Sequence, residues 1–214
     1  MTTEQVAPAN RAPERGTSTR AVLLAAAREV FMHEGYAQAG VTDIVALAGA
    51  SVGSLYHHFA GKADLYLALF DELHRDLDAR TRQAVRRGRE AGISDPMPLL
   101  LAGARGYLDM CIEQRDLVGL FARGDGPPGF DMMQRQRLSD WVARNTEFFA
   151  RNGEPLDEAA AIVMTGAMLL AVAEVALAPD AARAQQIADG VLEVLSRLHV
   201  SAGSPAAQNG APGS

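Results

Sequence analysis

The sequence predicts an all-α chain of about nine helices, and three observations carry that reading. Its core material is mostly alanine and leucine, which favour helix. β-Branched and aromatic residues form few runs of the kind that build strands. Apolar residues recur at helical spacing between glycine and proline breakers, with no internal repeat.

The elements follow in order. Residues 1–18 are rich in Pro, Ala, Thr and Arg without periodicity and read as a disordered arm. A first helix is expected over about 19–33, with Leu23, Ala27, Val30 and Phe31 on one stripe and Gly35 as its stop. Two short helices come next. In TDIVALAG, Ile44, Leu47 and Ala48 are apolar; in SVGSLYHHF, Leu55 and Phe59 face inward. A tight glycine-containing turn between short helices, after a longer support helix, is a helix-turn-helix arrangement, here at about 40–59. A long helix runs from Lys62 towards Arg89, burying Leu65, Leu69 and Leu73 and ending in the charged, solvated RTRQAVRRGRE. Further helices are expected at about 97–114, 116–123, 130–151, 156–178 and 180–199. The predicted organisation is therefore an arm (1–18), a helix-turn-helix domain (19–66), a larger helical domain (67–200) and a disordered tail (201–214).

Composition narrows the function. A net charge of −6 excludes a wholly basic nucleic-acid coat, so any anion-binding surface is local. Cys111 is the only cysteine, which excludes an internal disulfide and a thiolate zinc cluster. The N-terminus lacks the apolar core of a signal peptide, and a cytoplasmic location is expected. The run 159–178 approaches membrane-spanning length. It contains Glu174 and has no flanking basic cluster, so a buried or interface helix is expected. No nucleophile elbow, phosphate loop, zinc-protease motif or dinucleotide fingerprint occurs. The expectation is a non-enzyme without cofactor or metal; His57 and His58 project in different directions from a helix, poor geometry for a metal pair.

With Leu55 and Phe59 inward, Val52, Gly53, Ser54, Tyr56 and His57 face outward or sideways. An α-helix fits the major groove of DNA, Gly53 permits close backbone approach, and hydroxyls reach base edges or phosphates. Lys62, the only lysine of the chain, starts the next helix, where its ammonium and neighbouring N–H groups would clamp a phosphate.

Residues 19–66 resemble the DNA-binding domain of the TetR/AcrR family of transcriptional regulators. The resemblance rests on Leu23–Leu24, Ala26–Ala27, Val30–Phe31, Gly35–Tyr36, Asp43–Ile44, Ala48–Gly49, Leu55–Tyr56, His58–Phe59, Lys62 and Leu65. It implies phosphate contacts from Tyr56, His57 and Lys62, and base or groove contacts from Thr42 and from Ser51, Val52, Gly53 and Ser54. Gly40 departs from the Ser or Thr usual there and removes one capping hydroxyl. Val52 stands where polar base readers often lie, suggesting contact with a thymine methyl. Arg11, Arg15 and Arg20 are either minor-groove contacts or part of a solvated tail.

In the second half, small residues on the eighth helix (Ala160, Val163, Gly166, Ala167, Leu170, Ala173) and the stripe Val191, Val194, Leu195, Leu198 on the ninth suggest a homodimer interface. Tyr107, Met110, Cys111, Phe121, Trp141, Asn145, Phe148, Met164 and Met168 belong to a cluster of aromatics and methionines suited to an adaptable apolar ligand pocket. Glu174, a carboxylate among alanines and valines, would pair with an arginine, lie at the dimer edge or attract a cationic ligand. The expected function is a homodimeric repressor released from palindromic operator DNA by a small, largely apolar inducer. Alternatives are a ligand-dependent activator, or a helical ligand carrier without DNA binding.

Overall fold

The computed structural model describes residues 12–153 and 156–198. Among them are nine helices and no strand: α1 (Ala12–Gln38), α2 (Val41–Leu47), α3 (Val52–His58), α4 (Lys62–Glu90), α5 (Pro96–Glu113), α6 (Arg115–Ala122), α7 (Phe130–Arg151), α8 (Glu158–Leu177) and α9 (Ala181–Ser196). The all-α expectation holds. The chain packs as two units, one formed by residues up to Leu73 with 123–127, the other by 74–122 with the residues from Pro128 onward. The boundary expected at 66/67 falls inside α4, whose first turns pack with the N-terminal unit.

In the N-terminal unit α1 starts at Ala12 rather than near 19, so residues 12–18 of the expected disordered arm are helical. The rest of that arm lies outside the described residues, as does the expected tail from 201. Leu23, Leu24, Ala26, Ala27, Val30 and Phe31 form the buried side of α1. Gly35 interrupts the helix as expected: at φ 78°, ψ 167° it adopts a non-helical conformation nearly closed to other residues, and Ala12–Gln38 joins two helical stretches across that break. Helix α2 ends in a Schellman turn. The N–H of Gly49 (φ 59°) donates to the Ala46 carbonyl and that of Ala50 to the Val45 carbonyl. Ser51 then caps α3, its Oγ accepting from the Ser54 N–H at 3.1 Å. Leu55 and Phe59 are buried, as their spacing predicts, and fix which face of α3 points outward. Each such burial contributes about 1.5–3 kcal/mol.

In the second unit α8 packs against α5, α6, α7 and α9, with Ala161, Met164, Thr165, Met168, Ala171 and Val175 inward. The Thr165 hydroxyl is satisfied within the helix, donating to the Ala161 carbonyl at 2.6 Å. Helix α5 lies close on the second half of α4. A Cβ on Gly103 would meet Val85 at 3.0 Å, and one on Gly106 would meet Ala84 at 3.0 Å and the Arg80 carbonyl at 3.2 Å.

Candidate functional site

The outward face of α3 carries Val52, Gly53, Tyr56 and His57, all exposed, while Ser54 is half-buried. Tyr56 is 57% exposed and Val52 43%. No heavy atom lies closer than 3.9 Å to a Cβ built on Gly53, so an approaching surface meets bare backbone there. The exposed Thr42 stands in the first turn of α2. The N–H groups opening α2 have no side-chain cap at Gly40. The Asp43 carboxylate occupies the space a Gly40 side chain would need. Ser51 is exposed too, but its oxygen is already engaged as the α3 cap.

Lys62 departs from the expected free clamp. Its Nζ donates to the carbonyls of Tyr36 at 2.7 Å and Ala37 at 3.2 Å, and it lies 4.6 Å from the centroid of the Tyr36 ring. The physical reason is the end of α1: its last carbonyls lack helical partners and carry partial negative charge, which a cation satisfies. Two of three ammonium donors are thereby spent. Asp64, in the first turn of α4, reaches back to accept from the Ala60 N–H at 2.9 Å, which places a carboxylate beside the helix start. The lone lysine is first a brace between α4 and α1.

Asp125, from the segment between α6 and α7, joins the same corner. Its carboxylate accepts from the Ala37 N–H at 3.1 Å, and its carbonyl accepts from the Tyr66 hydroxyl at 2.7 Å. Tyr66 also stacks edge-on with Phe31 and Tyr36. Burial, then the Asp125 charge and Tyr36, push the Tyr66 phenol well above its usual range, keeping it a donor. Of the arginines considered for a minor groove, Arg20 sits on α1 with its guanidinium 4.9 Å from the Phe59 ring centroid. Arg11 lies outside the described residues, and Arg15 falls within α1.

The second unit contains a cavity of about 520 Å³ between α4, α5, α7, α8 and α9. Six of the expected pocket residues line it: Tyr107, Trp141, Asn145, Phe148, Met164 and Met168. Three do not. Cys111 is fully buried in the core, where burial pushes its thiol up to about 12. Phe121 packs on Phe130 with centroids 6.0 Å apart, and the Met110 sulfur lies 3.9 Å from the Arg80 guanidinium. The cavity also holds what the sequence reading missed, Arg82, Arg86, Arg89 and Arg144. A signal existed: Arg82, Val85, Arg86 and Arg89 recur at the spacing of one helix face.

Helix α8 turns a second apolar face outward, with Ile162, Val163, Leu169, Leu170 and Leu177 more than half exposed. Gly166, with nothing within 4 Å of a built Cβ, sits among them, flanked by half-buried Ala160, Ala167 and Ala173. Val194 and Leu198 of the adjacent chain end are exposed and Val191 half-buried. Leu195 is the exception in the expected interface: it is buried and lines the cavity, because its side chain falls on the inner face of α9. Glu174 is exposed rather than buried, so it needs no partner. By length and composition α8 is apolar enough to cross a membrane; its inner face nonetheless packs on four helices of its own unit. Among the described residues, no group of three or more His, Cys, Asp or Glu is arranged to hold a metal.

The family described as bacterial regulatory proteins, tetR family, matches residues 23–69. The HTH-type transcriptional regulator TtgR of Pseudomonas putida is 40% identical over 72 residues, 34% of each chain. The HTH-type transcriptional activator FasR of Mycolicibacterium smegmatis is 43% identical over 77 residues, 36% of this chain and 34% of that one. These matches span about a third of the relatives' length. Over nearly the whole chain, a TetR-family transcriptional regulator from Pectobacterium atrosepticum superposes with a TM-score of 0.58 at 29% identity, covering 86% of this chain and 95% of that one. Residues 23–69 thus carry a tetR-family domain, and over nearly its whole length the chain is similar to a TetR-family transcriptional regulator.

Proposed function

We propose that the protein is a cytoplasmic, homodimeric transcriptional repressor whose operator affinity is set by a small molecule in the cavity of the second unit. The observation that carries the DNA-binding part is the α3 face. A short helix, held by a Schellman turn before it and by Leu55 and Phe59 beneath it, leaves Val52, Gly53, Tyr56 and His57 exposed and unspent. Tyr56 and His57 act as phosphate contacts, Thr42, Ser51 and Ser54 as polar groove contacts, and Val52 as an apolar contact to a thymine methyl. Lys62 acts by holding α4 against the end of α1.

The exposed apolar faces of α8 and α9 supply the two-fold surface, because a palindromic site requires two readers about one helical turn apart. Ligand control follows from α4, which is continuous from Lys62 to Glu90 and lines the cavity through Thr81, Arg82, Val85, Arg86 and Arg89. A ligand lowers DNA affinity only if it favours the α4 position of the released state. Repression is the favoured sign, since a dimer on its operator occludes DNA by position alone. The likeness to FasR, described as an activator, supports a second reading with the same contacts and the opposite output.

Selection of genomic fragments on the purified protein, followed by footprinting, tests this directly. Two protected half-sites about 10 base pairs apart, centre to centre or in multiples, are expected. Uniform, sequence-independent retention would sink the proposal. A reporter downstream of the selected fragment then separates repression from activation.

A further inference from the structure

We infer that the cavity of the second unit selects an amphipathic organic anion: an apolar body with one anionic head held by Arg82 and Arg144. The inference rests on the reading of this cavity as the ligand site and names the class of ligand. Its lining includes four arginines and no acidic residue, although acidic residues outnumber basic ones in the chain, 26 against 20. Such a cluster is a local reversal of the protein's own field. A cleft with apolar walls concentrates that field on the ligand.

The four cations are not equally occupied. Arg86 lies 3.9 Å from the Glu90 carboxylate, and the Arg89 guanidinium lies 5.9 Å from the Phe148 ring centroid. Arg82 and Arg144 make no ion pair or hydrogen bond among the described residues. Both are exposed, whereas Met164, Met168 and Leu195 of the lining are buried. The arrangement is an apolar floor with cations at the opening. Guanidinium forks match a carboxylate or phosphate head, and such charge-assisted pairs are stronger than neutral hydrogen bonds. The Tyr107 phenol also lines the cavity, and burial keeps it protonated, adding an O–H donor. The cavity volume of about 520 Å³ lies within the range for small-molecule sites. In the lining itself a cationic ligand meets four like charges and no carboxylate, the nearby Glu90 carboxylate lying against Arg86.

Trp141 lines the cavity and is the only tryptophan, so its fluorescence reports occupancy. The full-length protein is titrated with decanoate and dodecanoate, with the matching alcohols, and with the matching alkyltrimethylammonium salts, all below micelle formation. The carboxylates are expected to saturate at concentrations about tenfold or more below the alcohols, the scale of one charge-assisted hydrogen bond, and the cations not to saturate. The double variant Arg82→Gln, Arg144→Gln is expected to bind carboxylates no better than alcohols, with alcohol binding and helical content unchanged. Alcohols or cations binding as tightly as carboxylates would overturn the anion assignment and leave the cavity as a ligand site. Unequal binding that survives in the double variant would overturn the roles of Arg82 and Arg144. No response to any probe would overturn the ligand-site reading itself, and the anion assignment with it.

Discussion

The Lys62 ammonium donates to the Tyr36 carbonyl at 2.7 Å, joining the start of α4 to the end of α1 across 26 positions of sequence. The first N-terminal turn of one helix thereby closes the C-terminus of another. The α3 face lies between these two points in the chain, so its presentation depends on a lysine that need not touch DNA.

Replacing that lysine separates a brace from a phosphate clamp. Lys62→Ala is expected to lower unfolding stability by about 1–2 kcal/mol, the scale of a part-exposed charged hydrogen bond. The salt slope of DNA binding should change by less than about one per dimer. A true clamp on each protomer would reduce that slope by about two, with little change in stability. Thermal unfolding and a salt titration on the same samples distinguish the outcomes.

Gly35 gives a second test of this corner. Its backbone, at φ 78°, disfavours any side chain, and a Cβ would meet the Asp125 carboxylate at 2.9 Å. Gly35→Ala should therefore cost about 1–3 kcal/mol. Gly53→Ala, in open helical surroundings, should leave stability almost unchanged while weakening DNA binding. Equal stability losses at both positions would contradict this assignment.

Dimerisation is tested at the outer face of α8. Leu170 is 66% exposed in the single chain. Leu170→Glu is expected to yield a folded monomer by sedimentation, with far-ultraviolet dichroism retained and operator binding lost. A dimer unaffected by this change would place the two-fold surface elsewhere.

Cys111 sets a pH dependence. Its thiol is pushed up to about 12 by burial, above an unfolded value of about 8.5. Because the folded pKa is the higher, the unfolded chain ionises first. Stability is full below the unfolded pKa and falls as pH rises towards the folded one. The expected loss between about pH 9 and 10 is about 1 kcal/mol, and Cys111→Ala should remove most of it. A denaturant midpoint series across this range measures both.

Much of this was legible in the residues themselves. Leu55 and Phe59 give the inward face of α3 by spacing alone, and Gly49 with Ser51 gives the turn and cap between α2 and α3. Lys62 was not legible, because only the folded chain brings the Tyr36 and Ala37 carbonyls beneath it. Leu195 and Val194 are equally apolar neighbours; packing alone decides that one lines the cavity and the other faces out. The arginines of α4 read as a solvated helix end, which is true of their exposure and silent about the apolar cavity they border. Glu174 looked buried because its neighbours are apolar, yet those neighbours include the outer face of α8.

The central claim, that the α3 face reads DNA, is tested most directly by affinity for the selected fragment over a salt series, for wild type and Tyr56→Phe. The account predicts salt-sensitive binding, several orders of magnitude tighter than to random DNA of equal length. It predicts about tenfold weakening in Tyr56→Phe, from two lost hydrogen bonds per dimer at about 0.5–1.5 kcal/mol each, with unchanged stability. Wild-type binding no tighter than to random DNA, or tight binding indifferent to Tyr56, would contradict it.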